Sequence, residues 1–317
     1  MAQFNYPFPS VPQYLAVWLS YRNRQFIADD VMPRVPVEAE TFKWFKYAKE
    51  QLFTLRETKV GRKGRPNQME ISATEESGIV HAYGMETLIP EQDVRAAESL
   101  PGYNPVSSNI LAIREVVALG REKRVADLLF NPATYPAANR QTLSGSSQFS
   151  HADSDPFDLV MTALEGMDVR PNIAIINRPS WIKLRRNSKL TSCLTAPSNG
   201  NSSGQGAPAS LQAVAELFEL DAIYIGEGRY NSAVEGQSPT YTRLWGNHMC
   251  FLHQNPLTSL RTGGLTFGAT AQWGLPVAGE ISQPHVGLLG GRSAVAGEFV
   301  NELIIASDAG YFLQNVI

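Results

Sequence analysis

The chain has 317 residues, a formal net charge of −3, and 43% hydrophobic against 18% charged residues, which excludes a disordered chain and leaves room for a sizeable core. A pI near 6.0 excludes a dedicated, strongly basic nucleic-acid binder. Two cysteines without CxxC spacing, Cys193 and Cys250, exclude a disulfide framework and suit a reducing compartment, and no run approaches the roughly 18 apolar residues of a membrane span.

Residues 1–37 carry Pro7, Pro9, Pro12, Pro33 and Pro36 around one short apolar helix predicted over 14–21, with no basic or apolar region of a secretory signal. Each proline fixes φ and removes a backbone donor, so the expectation is an extended arm rather than a packed element. Phe4, Tyr6, Phe8 and Trp18 on that arm are expected to stand exposed until something covers them.

FKWFKYAKEQLF, residues 42–53, places Trp44, Phe45 and Tyr47 among lysines. RETKVGRKGRPNQME follows, with Arg56, Lys59, Arg62, Lys63 and Arg65 inside ten positions. Met69, Ile71 and Ala73 then alternate with Glu70, Ser72 and Thr74, the signature of a half-buried strand. Gly61, Gly64 and Pro66 mark a reversal between the two segments. The pattern predicts a β-ribbon on the order of 30 Å long, a structure that is marginal in water unless something packs on it.

Acidic Glu91, Asp93 and Glu98 precede the strongest helix signal, over 104–131. Asn104 suits the N-cap and Pro105 the first helical position. Val106, Ile110, Ile113 and Val117 follow at helical spacing, Val125, Leu128 and Leu129 continue after a polar turn, and Pro132 closes the segment. A helix this long needs a broad partner surface. After a polar loop at 142–156 the pattern turns αβ: helix 157–167, strand 172–177, a short helix from Pro179, and a Gly/Ser-rich exposed loop at 198–208. Helix 209–220, strand 222–226 and strand 249–254 follow, and EFVNELIIASDAGYFLQNVI reads as a final sheet strand. The fold class is α+β, one αβ lobe inserted into another that holds the long helix and the C-terminal strand.

No catalytic, cofactor or metal residue emerges. GLLGGRS has Val286 where a phosphate loop needs its first glycine and Arg292 in place of lysine, so it reads as a surface loop. IGEGRYNSA reads as a turn. Ser146, Ser147, Ser150, His151 and Asp153 are adjacent in sequence without triad geometry, and GxSxG is absent. His248 and Cys250 share one strand face and His253 takes the other, which does not make a tetrahedral site. Glu75, Glu76 and Glu227 have no identifiable partner, although paired acids and bases commonly meet only in the fold.

The basic run has three readings: a solvated loop, a nucleic-acid contact, or a tip that docks on acidic groups of a neighbouring copy. No aromatic is interleaved from 57 to 68, so the stacking platforms of a single-strand binder are missing. The docking reading is preferred, with Glu91, Asp93 and Glu98 as the candidate acidic counterpart and Trp44, Phe45 and Tyr47 supplying apolar contact.

This order of parts resembles the major capsid proteins of tailed bacteriophages, with the Hong Kong 97-type fold. The strings YRNRQFIADDVMPRVPV, TLSGSSQFS, ELFELDAIYIGEGRYNSA, RLWGNHMCFLHQNP and IASDAGYFLQNVI carry the resemblance over nearly the whole chain. It implies an N-terminal arm at 1–37, an extended loop at 38–89, and a peripheral domain at 90–156 plus 257–317 with a spine helix near 104–131. Residues 157–256 become the axial domain. It implies a non-enzymatic subunit, without cofactors or membrane contact, made in the host cytoplasm and assembling into pentamers and hexamers of a virion around double-stranded DNA. Portal, decoration or cement proteins and a separate scaffolding protein are implied partners. Some relatives link an extended-loop lysine to a neighbour's asparagine, but no matching motif accompanies Lys59 or Lys63. An encapsulin-like compartment shell shares the fold and is the nearest alternative; an α/β hydrolase-type enzyme is a more distant one.

Overall fold

The computed structural model describes residues 11–20, 22–47, 54–68, 73–99, 103–194, 208–255 and 265–317. Helix α1 (Pro12–Ser20) and the short α2 (Ala28–Val31) lead into β1 (Arg34–Val37), β2 (Thr41–Tyr47), β3 (Ala73–Ile79) and β4 (His81–Pro90). Helices α3 (Glu91–Glu98) and α4 (Pro105–Leu129) follow, then β5 (Arg140–Thr142) and α5 (Pro156–Glu165). The αβ segment runs β6 (Ile173–Asn177), α6 (Arg178–Leu184), α7 (Ser188–Leu194), α8 (Leu211–Leu217), β7 (Ala222–Gly226), β8 (Arg229–Asn231), β9 (Tyr241–Arg243) and β10 (Met249–Leu252). Strands β11 (Gly268–Trp273), β12 (Val277–Gln283), β13 (Gly291–Ile304) and β14 (Gly310–Gln314) complete it.

The α4 cap forms as expected. Asn104 is extended, and its side chain accepts from the Val106 and Ser107 N–H groups at 3.0 and 3.2 Å, with Pro105 in the first turn. The 25-residue helix spans roughly 37 Å at the standard rise. Two sheets use that length. The first has the order β1-β11-β13-β12, with β4 also paired to β13. The first half of α4 packs Val106, Ile110, Ile113 and Val117 against its Ile89, Ala278, Ala294 and Ala296. The small alanines let the helix lie close to the strands. The second half packs Val125, Ala126 and Leu129 against Ile173, Ile175 and Phe312 of the second sheet, order β5-β14-β10-β6-β7.

The second sheet is buried on both faces. Cys250 and Leu252 face α4, while Met249 and Phe251 join Ala174, Ile176, Val160, Trp181, Leu184 and Phe218 on the side of α5 to α8. That double burial explains why MCFL shows no polar alternation. Burial pushes the Cys250 thiol up to about 12, so it behaves as a small apolar side chain.

Two expectations change here. Residues 11–37 are packed rather than extended away: α1 lies on α4, the Val11 N–H donates to the Ala278 carbonyl at 3.1 Å, and β1 pairs in parallel with β11. The C-terminal stretch is two strands rather than one. A 3₁₀ turn at Ser307–Ala309 breaks it, so β13 belongs to the first sheet and β14 runs between β5 and β10 in the second. The short polar turn carries the chain from one layer to the other.

Candidate functional site

The ribbon β2–β3 is antiparallel, with Thr41 opposite Ile79 and Tyr47 opposite Ala73, seven paired positions on each strand among the described residues. Lys43 and Glu75 form a cross-strand ion pair at 2.5 Å. Residues 54–68, carrying Arg56, Lys59, Arg62, Lys63 and Arg65, are exposed throughout, and Leu55 is 99% exposed. Within them the predicted reversal forms: the Gly64 N–H donates to the Gly61 carbonyl at 2.9 Å. Glu57 organises the approach, accepting from the Lys59 N–H at 2.8 Å through its side chain and from Asn67 Nδ2 at 2.9 Å through its carbonyl.

The base of the ribbon is anchored on its own chain. Phe42 and Trp44, with ring centroids 5.7 Å apart, pack over Val80, Ala269, Ala271 and Ile305 on the outer face of the first sheet. Trp44 therefore has little surface left for a neighbour, which corrects its expected role as an intersubunit aromatic. Trp18 requires a similar correction. It is 1% exposed, seated among Ile110, Ile113 and Val117 with the Arg114 guanidinium 5.0 Å above its ring. The physical cause is that α1 turns its apolar stripe onto α4, and sequence periodicity does not reveal which partner a stripe meets. Phe4, Tyr6 and Phe8 and the side chains of Phe45, Tyr47 and Glu98 lie outside the described residues.

Of the expected acidic counterparts, Glu91 stands in the first turn of α3, where its carboxylate faces Arg292 at 3.4 Å. Asp93 is exposed on the same turn. His151 and Asp153 lie in a surface turn with 3.7 Å between imidazole and carboxylate, and the Ser147 hydroxyl donates to the Ser144 carbonyl rather than to the histidine. The GLLGGRS segment spans the end of the turn after β12, with Leu288 fully exposed, and the first three residues of β13, and 225–233 passes from β7 through a turn into β8. Among the described residues no three His, Cys, Asp or Glu side chains are grouped to hold a metal ion. Among them, too, no helix is long and apolar enough to cross a membrane.

A buried ionic hub gathers charges from distant parts of the chain. It ties residues 22–34 to α4 and the first sheet. Arg34 bridges Asp29 at 2.7 Å and Glu298 at 2.6 Å. Buried Arg121 bonds Asp29 and reaches the Met32 carbonyl at 3.2 Å and Thr270 Oγ1 at 3.0 Å. Burial alone raises the Asp29 pKa, but the charges of Arg121 and Arg34 outweigh it and hold the carboxyl well below the usual carboxylate range. Glu122, the next residue on α4, accepts from the Ile27 and Ala28 N–H groups and from Trp245 Nε1 at 2.7 Å, capping α2. Burial pushes the Glu122 pKa up, and those donors partly offset it. One signal was available: the i+4 stripe Ile113, Val117, Arg121, Val125, Leu129 passes through a charged residue at a buried position.

No family model matches the chain. A major capsid protein of Pseudomonas phage JBD67 is 40% identical over 313 residues, covering 99% of both chains. The chain belongs to the family of phage major capsid proteins. A second major capsid protein, of Burkholderia phage BcepMu, is 26% identical over 237 residues, covering 72% of this chain and 71% of that one. The fold agrees. A phage-related protein of Bordetella bronchiseptica superposes with a TM-score of 0.74 at 19% identity, covering 98% of both chains. The capsid structure of cyanophage P-SCSP1u gives 0.56 at 13% identity, covering 99% of this chain and 92% of that one. In this capsid protein the hub ties residues 22–34 to the long helix, and residues 54–68 project their charges into solvent.

Proposed function

We propose that this capsid protein builds the icosahedral head of a tailed phage, as pentamers and hexamers enclosing double-stranded DNA, with 54–68 as the loop each copy lays on a neighbour. The observation that carries this reading is the ribbon itself. Its base is anchored on its own sheet, while its far end is exposed at every described position and carries five cations against Glu57. A projection of that kind contributes nothing to the stability of its own subunit and needs a second surface to order it. Net charge supports the same reading: a chain at −3 does not bind packaged DNA generally, and the cationic excess sits where a protein neighbour can be met.

In this reading 38–89 is the extended loop, 90–156 with 257–317 the peripheral domain, and 157–256 the axial domain, the second sheet borrowing β5 and β14 from outside that last span. Asp93 is the accessible candidate for the cationic tip, because Glu91 already faces Arg292. Exposed pairs of this kind contribute about 0–1 kcal/mol each, so they set register and the apolar contacts supply most of the affinity. A separate scaffolding protein, a portal and decoration proteins complete the expected set of partners, and the finished product is the virion. Electron microscopy of particles from the expressed protein, and of virions before and after nuclease, tests the reading. Closed shells that protect a genome are expected. Shells that hold a cargo enzyme and no genome would establish the compartment reading instead, and a protein that stays monomeric would overturn both.

A further inference from the structure

The β8–β9 ribbon pairs Arg229 directly opposite Arg243. Like charges at that position repel across a ribbon. Arg178, at the start of α6, adds a third cation, and the neighbouring carboxylate, Glu227, already pairs with Arg178 at 3.0 Å. Burial depresses the Arg243 pKa, and the charges of Arg229 and Arg178 lower it further while Glu227 opposes them. Neither the Arg229 nor the Arg243 side chain has a hydrogen-bonded or ion-paired partner among the described residues. The site carries an uncompensated positive charge.

Strand alternation places Arg229, Asn231, Tyr241 and Arg243 on one face and Tyr230 with Thr242 on the other. The second face is inward: Tyr230 packs with the core around α4, and Lys123 lies 5.7 Å from its ring. The arginine face is outward, and Tyr241 beside it is 67% exposed. At the opposite end of the ribbon, the turn at 232–240 holds Val234, 71% exposed, next to Glu235, which has no partner among the described residues. One ribbon therefore carries a cationic base and an anionic tip that its own register keeps apart.

Identical copies in a head-to-tail arrangement bring such unlike ends together and close into a ring. We infer that Arg229 and Arg243 at the base of this ribbon receive the Glu235 carboxylate from the ribbon tip of a neighbouring copy, with Tyr241 and Val234 as the apolar border of the contact. The inference rests on the shell reading above. A protein partner is favoured over nucleic acid because backbone binding spreads its cations along many phosphates, whereas this cluster is compact and bordered by the exposed Tyr241 ring. Arginine and tyrosine beside apolar surface is the composition of a protein–protein contact.

A charge-swap complementation with the full-length chain tests this. Glu235→Arg and the double variant Arg229→Glu/Arg243→Glu are each expected to yield about tenfold fewer particles at a fixed concentration, measured by sedimentation and electron microscopy. An equimolar mixture of the two is expected to raise the particle yield above that of either alone, since unlike neighbours offer each other the missing charge, although a five-membered ring keeps at least one mismatched contact. Either variant assembling like the parent protein would overturn the inference and leave the shell reading intact. The same holds for a mixture that stays unassembled while both components show the parental melting temperature. Should the double glutamate variant fail to fold, Arg229→Gln/Arg243→Gln takes its place, with reduced assembly expected and parental assembly overturning the contact. Normal particles with a reduced DNA content would overturn it in favour of a nucleic-acid contact. A parent protein that forms no particles under any condition would remove the shell reading and this contact with it.

Discussion

Gly84 and Gly297 face each other across β4 and β13 with their backbones in close approach: a Cβ on Gly297 would stand 2.6 Å from the Tyr83 carbonyl oxygen and 2.8 Å from the Gly84 Cα. Neither contact is with a side chain that can swing away, so the strand itself would have to move. Gly297→Ala is expected to destabilise the subunit by about 1–3 kcal/mol, the usual cost of overpacking. The midpoint of a urea titration checks it, and a parental midpoint would show that the strands can separate freely.

Glu122 is the second point of leverage. Its carboxylate collects the N–H groups of Ile27 and Ala28 and the indole of Trp245. Glu122→Leu leaves three buried donors without an acceptor, which is expected to cost at least about 3 kcal/mol. Denaturant unfolding followed by tryptophan fluorescence reads both the loss and any change around Trp245.

The pH dependence has a definite sign at His248. Burial holds its pKa below the usual histidine value, and its Nδ1 accepts from the Asn315 N–H at 3.0 Å, a bond that a protonated Nδ1 cannot accept. The unfolded chain therefore takes up the proton first, so stability contributed by neutral His248 is present above about pH 6.5 and is lost as pH falls through the lower folded value. Glu122 works in the opposite direction: its raised pKa favours the folded state as pH falls. Comparing His248→Gln with the parent isolates the histidine contribution. The variant keeps an acceptor and is expected to show a shallower fall in melting temperature between about pH 7 and about pH 5. Parallel curves would remove His248 from the account.

Reversing the tip tests the loop. Arg62→Glu with Lys63→Glu and Arg65→Glu alters wholly exposed positions. The subunit is expected to keep its unfolding free energy within about 0.5 kcal/mol of the parent while particle assembly falls, and raised salt is expected to weaken assembly of the parent in the same sense. Normal particles from the triple variant would remove the docking role of the tip.

Local signals in the sequence were legible where neighbours in the chain decide the structure. Asn104 with Pro105 and the stripe from Val106 to Val117 announced α4, and Gly61 with Gly64 announced the turn at the tip. What escaped depends on distant partners. The stripe of α1 predicted a helix, but nothing local says that Trp18 meets Ile110 rather than a second molecule. The hub was hidden for the same reason: Arg34 and Glu298 are 264 positions apart, and each alone looks like a surface charge. The break at Ser307–Ala309 was obscured because the residues on both sides are strand formers in their own right.

The placement of β14 bears on timing. Residues 310–314 fill an inner row of the second sheet, between segments made some 60 and 170 positions earlier, so that sheet stays split until residue 314 has left the ribosome. A nascent copy whose chain stops short of residue 314 has an unfinished lobe. Completion of that lobe is thereby tied by chain topology to the emergence of β14.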